Sequence, residues 1–536
     1  MQAERPARRP LGAQPASERS ERAARRSRAK PIETAGERSS SGRPRTRKSP
    51  DPPARKGPRL RLHFAASELA PLALSGGLGE AVSGLARALA ARGHELTCLL
   101  PAHRRALESA ELPALAEAGA VRLPVSDGEG DLVGRWLEGR LGALRLLLLD
   151  LPALYDRPQL YDGATGAEEA LRFTAFARAV AARAAAETPD VLVAHDWHAA
   201  LALACLRTLH DFGPARAVGC VQVVHNSAYQ GRFAASAMRL TGLPPELFHP
   251  DALEFWGDLC LLKGGLVWAD RIVTVSPTHA AELQTEEFGG GLEGLYRWRA
   301  HRLSGIANGI DVDRHDPATD PALPARYDSQ YAKPKGACRE DLLHALGLAA
   351  PKPGRLLAGI GRLAEQKGWD VLADAIPALV EQGASLALLG DGDPFLAERL
   401  RAAARRWPDR VGVAIGWDEA LARRIYAGAD CVLVPSRFEP CGLVQLVAQR
   451  YGTLPVAHRV GGLTDTIQDG VSGVLFAPLT AAALAGAADR AARLLQEQGA
   501  DKVVRRLLSL DVSWRAPAAQ YESVLAAVAR EARRRL

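Results

Sequence analysis

No run of apolar residues in this 536-residue chain approaches the roughly 20 needed to cross a bilayer, and the N-terminus lacks the apolar segment of a secretory signal. A membrane-spanning or exported protein is therefore not expected, and the chain reads as soluble and cytoplasmic. Paired cysteines are missing too. The seven present (Cys98, Cys205, Cys220, Cys260, Cys338, Cys431 and Cys441) are odd in number, widely spaced and never in a C-x-x-C arrangement. That argues against a disulfide framework and against a structural zinc. Finally, most of the chain lacks a basic excess, despite a formal net charge of +7. Residues 1–60 hold 17 Lys and Arg against 6 Asp and Glu, which leaves 51 basic and 55 acidic residues for the remainder. The body of the chain is mildly acidic, so nucleic-acid binding loses its main support.

The basic excess sits in residues 1–58, a stretch rich in Arg, Ser, Pro and Ala with almost no large apolar side chains. Such a composition cannot bury enough surface to offset the entropy of ordering, and a disordered basic extension is expected. A solvated tail, an electrostatic arm for anionic partners and an organelle transit peptide all stay open for it. Glu18, Glu21, Glu33 and Glu37 weigh against the last.

Order is expected from Arg59, where RLRLHFAASE reads as a strand followed by a glycine turn and a helix with Leu78, Val82, Leu85 and Leu89 at helical spacing. Short apolar strands recur at 191–195, 218–226, 271–276 and 303–308. After a polar, Pro-containing stretch from Asp311 to about Lys335, GRLLAGIGR restarts the same alternation of β and α units. This predicts an α/β protein of two Rossmann-like, doubly wound domains with parallel sheets and a ligand cleft at the carboxyl ends of the strands.

Five segments fall at such strand ends. Ser75-Gly76-Gly77-Leu78-Gly79 removes side chains where backbone N–H groups can approach a phosphate; it is also what a tight βα turn needs. His195-Asp196-Trp197-His198 and His225-Asn226 bring three histidines, an Asp and an Asn to one sheet edge. Arg362 and Lys367, five residues apart in GRLAEQKG, pair a planar fork with a point charge, as a diphosphate requires. Glu439, in SRFEPCGL, is a carboxylate beside a helix start, suited to sugar hydroxyls or a developing oxocarbenium ion, or to a plain helix cap.

Taken in order with LYDRP (154–158), HNSAYQGRF (225–233), LLKGGLVWADRIVTVSPTHAAEL (261–283), LSGIANGID (303–311), YGTLP (451–455) and GGLTDTI (461–467), these segments resemble the bacterial glycogen synthase and plant starch synthase family. The resemblance runs from about Arg59 to the DVSW segment at 511–514 and beyond. It implies the GT-B architecture: an acceptor-side domain over 59–310, a nucleotide-sugar domain over 311–510, and a C-terminal helix at 511–536 packing back on the first domain. It also implies retaining transfer of glucose from ADP-glucose to the non-reducing end of an α-1,4-glucan, with no metal and no other cofactor.

In that resemblance Arg362 and Lys367 hold the donor diphosphate, with N–H groups at Gly76 and Gly77. His225, Asn308 and Glu439 hold the transferred glucose together with the backbone at Cys441 and Gly442. Asn226 and Leu443 are further substrate-contacting positions, and Asp196 and His198 shape the pocket floor. Two departures stand out. Leu74 occupies the place of the family's lysine in Lys-x-Gly-Gly-Leu, so that one cation is missing from the phosphate site, and Glu80 stands where Asp is usual. The alternative reading is accordingly a non-catalytic or weakly active glucan-binding homologue.

Overall fold

The computed structural model describes residues 57–124, 130–161 and 166–536; the extension expected over 1–58 lies outside the described residues except for its last two positions. The first half contributes β1 (Arg61–Ala65), β2 (Glu95–Pro101), β3 (Ala116–Pro124), β4 (Asp131–Leu141), β5 (Leu144–Asp150), β6 (Val191–His195), β7 (Gly219–Val224), β8 (Arg232–Ala234), β9 (Glu254–Phe255), β10 (Asp258–Cys260), β11 (Arg271–Thr274) and β12 (Leu303–Gly305). Nine of these form one sheet in the order β12-β11-β7-β6-β1-β2-β5-β4-β3, while β8, β10 and β9 make a small separate sheet. The second half holds β13 (Leu356–Leu363), β14 (Ser385–Gly392), β15 (Val411–Ile415), β16 (Cys431–Val434), β17 (Leu454–His458) and β18 (Val474–Phe476). Its six strands run in the order β15-β14-β13-β16-β17-β18, every pair parallel.

The strands are short and apolar because both faces are covered. In β6, Val191 and Val193 enter one core while Leu192 and Ala194 enter the other, as a side-chain period of two dictates for a sheet between two helix layers. In β14, Leu386 and Leu388 face one layer and Ala387 and Leu389 the opposite one.

The first sheet departs from the expected all-parallel pattern. It is parallel from β12 to β5 and then turns antiparallel at β4 and β3. The cause is the link Gly142-Ala143 between β4 and β5, with Gly142 at φ +60°: so short a connection can only fold a strand back on its neighbour.

The chain crosses between the halves twice, and the crossings lie side by side. The Ile310 N–H donates to the Val512 carbonyl at 2.9 Å, and Ile310 pairs in parallel with Ser513. After the second crossing, helix Arg515–Arg533 returns to the first half. There Trp514, Ala518, Tyr521, Leu525 and Val528 share a core with Leu62, Phe64, Val82, Leu85 and Leu89. Ion pairs hold its end, Arg271 to Glu531 and Arg533 to Asp190, both at 2.6 Å.

That docking needs missing side chains. A Cβ on Gly84 would lie 2.0 Å from the Trp514 indole Nε1, and one on Gly219 would lie 2.4 Å from Val528 Cγ1. Gly84→Ala is therefore expected to displace Trp514 and lower stability by about 1–3 kcal/mol, read as a fall in melting temperature. Gly486→Ala, in a helix where a Cβ meets open space, should instead be neutral or stabilising by about 0.5–1 kcal/mol. Equal melting temperatures for wild type and Gly84→Ala would show that the indole does not depend on this contact.

Candidate active site

The carboxyl ends of β6 and β7 are adjacent, and the chain turns sharply as it leaves β6. Asp196 has φ +54°, a left-handed conformation that costs a non-glycine residue about 1–3 kcal/mol. The turn aims its carboxylate across the sheet edge, where Oδ1 accepts the backbone N–H of His225 at 2.6 Å and of Asn226 at 3.3 Å. Burial pushes the Asp196 carboxyl up to about 7; the two N–H donors oppose this, and the nearby Glu68 carboxylate reinforces it.

His195 Nδ1 and His225 Nε2 share a hydrogen bond at 2.9 Å. Burial drives His225 down to about 3 and His195 well below its ordinary value, so the pair is neutral. His198 stacks on Trp197 with ring centroids 4.0 Å apart and lies 4.8 Å from Tyr161. Among the described residues His195 Nε2, His198 Nδ1 and Asn308 Oδ1 are buried without a hydrogen-bond partner. Buried polar atoms are normally satisfied, and three orphans around one sheet edge mark a place for hydroxyl-bearing ligand atoms.

The glycine loop leaves β1 on the same edge. Ser75, Gly76 and Gly77 are exposed, and helix Gly77–Ala91 starts without a side-chain cap, which leaves its first N–H groups open to an anion. Glu68, 2% exposed, anchors the loop: its carboxylate accepts Ser75 N–H at 2.9 Å, Ser75 Oγ–H at 2.7 Å and Tyr161 O–H at 2.8 Å. Leu74 is half-buried and folds over the first helical turn, its Cδ2 lying 2.5 Å from where a Cβ on Gly79 would stand. Lys263 does not fill the missing lysine's place, because its ammonium donates to the carbonyls of Pro250 and Glu254.

In the second half, Arg362 ends β13 as an exposed side chain with no protein partner for its guanidinium among the described residues. Lys367 donates to Glu439 Oε2 at 2.6 Å, and the Ser436 hydroxyl reaches the same oxygen at 2.9 Å. Among the described residues these bonds reach Oε2 only, and no donor is seen on Glu439 Oε1. The loop around Glu439 is packed on backbone: Gly461 has φ +49° and a Cβ there would sit 2.1 Å from the Glu439 carbonyl. A small cavity among Lys367, Ser436, Glu439, Gly442 and Gln445 adjoins this pair. A second groove, lined by Glu117, Glu138, Arg140 and Arg183, lies on the outer hairpin, away from all these groups.

The two walls meet. Leu443 Cδ1 lies 3.5 Å from the Cβ position of Gly77, and the Cys441 thiol meets the backbone of Asn308. Burial pushes that thiol up to about 12, so it is no thiolate nucleophile. The Ser276 hydroxyl donates to the Pro440 carbonyl at 2.6 Å. Below the cleft two short helices exchange caps: Asp465 accepts Thr278 N–H at 2.8 Å, and Glu282 accepts Gly461 N–H at 2.8 Å. Gly76, Gly77, Asn308, Cys441, Gly442 and Leu443 thus line one seam, Arg362, Lys367 and Glu439 stand on the second-half wall, and Asp196, His198, His225 and Asn226 stand on the first-half wall.

Sequence reasoning passed over Glu68, Tyr161, Ser436 and Trp417, while His195 stood among its three histidines at one sheet edge. Glu68 and Ser436 were within its quoted segments, but nothing in their spacing shows which polar atoms they hold. Trp417 follows the carboxyl end of β15 and is 81% exposed, a position and an exposure that only strand assignment and folding make visible. Among the described residues no group of three or more His, Cys, Asp or Glu side chains is arranged to hold a metal ion, and no helix is long and apolar enough to cross a membrane.

Residues 61–298 match the family described as starch synthase catalytic domain, and residues 354–494 match glycosyl transferases group 1. The chain is 43% identical to a glycogen synthase of Roseobacter denitrificans, covering 82% of this chain and 93% of that one. It is 42% identical to a glycogen synthase of Aromatoleum aromaticum, covering 88% and 98%. The solved catalytic domain of starch synthase IV from Arabidopsis thaliana, bound to ADP and acarbose, superposes with a TM-score of 0.81 at 29% identity, over 88% of this chain and 100% of that one.

Asp196 generates a prediction with a defined sign. In the folded protein it keeps its proton up to about 7, whereas in the unfolded chain it ionises near the ordinary aspartate value of about 3.9. Between those values the folded state binds more protons than the unfolded state, so stability falls as pH rises. Against Asp196→Asn, which cannot ionise, the wild type should therefore lose ground in melting temperature between about pH 4 and about pH 7. A difference independent of pH would show that this carboxyl is not held protonated.

Proposed function

Because the chain belongs to the glycogen synthase family, we propose that it transfers glucose from ADP-glucose to the non-reducing end of an α-1,4-glucan with retention of configuration, in the cytoplasm and without a metal. What carries the reading is the convergence, in one cleft, of an uncapped glycine-rich helix start, an exposed arginine and a lysine–glutamate pair, facing a neutral histidine wall whose buried polar atoms lack partners among the described residues. The ADP held by the solved starch synthase supports an adenine nucleotide as carrier. The exposed Trp417 indole at the end of β15 supports base stacking at the strand ends of the second sheet.

In this reading Arg362 and the N–H groups at Gly76 and Gly77 bind the diphosphate, with Lys367 exchanging its bond to Glu439 for a phosphate oxygen. Charge thereby accumulates on the leaving group where the site is most positive. Glu439, freed of its cation, faces the sugar as a carboxylate and stabilises the positive charge that develops at the anomeric carbon. His225 and Asn308 accept or donate to sugar hydroxyls, with Asn226 beside them, while Asp196 and His198 hold the floor. In this reading Glu439 binds the sugar and stabilises charge without attacking it; Val447 stands eight residues beyond Glu439, where a second carboxylate would be needed, and Cys441 is a buried thiol. Attack by the glucan hydroxyl from the leaving-group face, its proton passing to the departing phosphate oxygen, accounts for retention.

The test is transfer to glycogen from ADP-, UDP- and GDP-glucose, with Glu439→Gln and His225→Ala compared with wild type. Each variant should lose at least about 10²-fold in kcat while remaining folded, since both side chains act where charge develops in the transition state. Near-normal activity in either removes that residue from the site, and absence of transfer from any donor in the wild type favours the non-catalytic glucan-binding alternative.

Leu74 carries a separate expectation. Leu74→Lys restores a cation beside the glycine loop and should improve kcat/KM for ADP-glucose by roughly one to two decades, the scale of one charge-assisted contact. A folded variant with unchanged kinetics shows that this position does not face the donor.

A further inference from the structure

Helix Gly77–Ala91 carries two charges that the donor reading does not use, Glu80 and Arg87, seven residues apart and so on one face. Both meet the first crossing between the halves. Glu80 Oε1 accepts from Arg314 Nη1, and Arg87 Nη1 donates to Asp311 Oδ2 at 3.3 Å. Asp311 shapes the crossing as well: its Oδ1 accepts the backbone N–H groups of Asp313 and Arg314, each at 3.1 Å, which sets the turn from which Arg314 departs. The two ion pairs have opposite polarity, so a shift of the crossing along the helix would bring like charges together.

The second arm of Arg314 reaches the other half. Its Nη2 donates to Glu419 Oε1 at 2.9 Å. Glu419 opens helix Glu419–Gly428, two residues after Trp417. It also accepts from Arg423, which lies 3.4 Å from the buried Asp320, itself the acceptor of the Tyr451 hydroxyl. One guanidinium thus joins the helix whose start is the glycine loop to the helix that follows the exposed indole.

We propose that Arg314 is a positioning residue for the donor site: by holding Glu80 on one side and Glu419 on the other, it sets the separation of the two walls between which the nucleotide diphosphate lies. The inference rests on the donor reading of the cleft given above. A forked guanidinium serves two carboxylates at once, which an ammonium on a flexible stem does poorly. Arg314 and Glu80 are 29% and 28% exposed, so the contact is partly open to counterions and weakens with salt. Arg314 touches neither the sugar nor the glucan in this reading, so its loss acts on donor binding and spares the acceptor.

The experiment compares full-length wild type with Arg314→Gln, Arg314→Lys, Glu80→Gln and the Glu80→Gln/Arg314→Gln double variant. Steady-state rates are measured with ADP-glucose varied at saturating glycogen and with glycogen varied at saturating ADP-glucose, at about 20 and about 500 mM sodium chloride, alongside melting temperatures. Arg314→Gln should raise the donor KM roughly three- to tenfold and leave the glycogen KM within about twofold, the size of effect expected for one coupled charge pair. Arg314→Lys should recover part of the loss. The double variant should be no worse than Arg314→Gln alone, and added salt, which weakens the diphosphate contacts in both, should raise the donor KM of the wild type by a larger factor than that of Arg314→Gln. If Arg314→Gln fails to fold, Glu80→Gln, which removes one arm only, should show a smaller rise confined to the donor.

An unchanged donor KM in a folded Arg314→Gln, or an equal rise in both KM values with a lowered melting temperature, overturns the positioning role while the donor reading stands. A wild type that transfers from no nucleotide sugar overturns the donor reading and this inference with it.

Discussion

One face of helix Gly77–Ala91 meets both crossings of the chain, and the geometry of the cleft depends on that contact. Glu80 meets Arg314 and Arg87 meets Asp311 at the first crossing, and between them Gly84 admits the Trp514 indole at the second. The spacing of 80, 84 and 87 places all three on a single stripe of the helix. Since the same helix begins at the glycine loop, whatever sets the angle between the halves also sets where the uncapped N–H groups point. The bare backbone at Gly84 lets the indole approach, and the ion pairs on either side hold the register.

The cleft itself is built from charges kept in unequal states. On the first-half wall burial leaves His195 and His225 neutral and holds Asp196 protonated up to about 7, so this wall offers hydrogen bonds with little charge. On the second-half wall Arg362 is exposed and has no protein partner among the described residues, while Lys367 is matched by Glu439. In the proposed reading the donor diphosphate meets Arg362, which has no protein partner among the described residues, and Lys367, which exchanges Glu439 for a phosphate oxygen and leaves that carboxylate facing the sugar. Leu74, in place of a lysine, makes Arg362 and Lys367 the main cations of this arrangement.

The alternation of apolar strands with helices, the position of the polar stretch after Asp311, and the five segments at strand ends were legible before any coordinates, because each is written in local composition and short-range spacing. The hairpin of β4 and β5 was not, since EGRLGALRL holds two glycines, Gly139 within β4 and Gly142 in the turn, and only the φ of +60° at Gly142 tells them apart. Glu68 was quoted as part of a strand, yet its role as anchor of Ser75 and Tyr161 comes from burial beside residues seven and 93 positions away. Glu80 stood out only as a longer side chain than usual; the guanidinium it reaches lies 234 positions along the chain.

The sequence by itself determined the class of fold, the order of its two halves and the residue types at the strand ends, because hydrophobic periodicity and glycine placement act between near neighbours. Which charges face one another was decided only by the tertiary structure. The pairing of Lys367 with Glu439, the fork of Arg314 between Glu80 and Glu419, the neutral state of His225 and the raised carboxyl of Asp196 all arise from burial and from contacts across tens to hundreds of residues. Desolvation and Coulomb interactions depend on distance in space, and no local pattern in the chain encodes that distance.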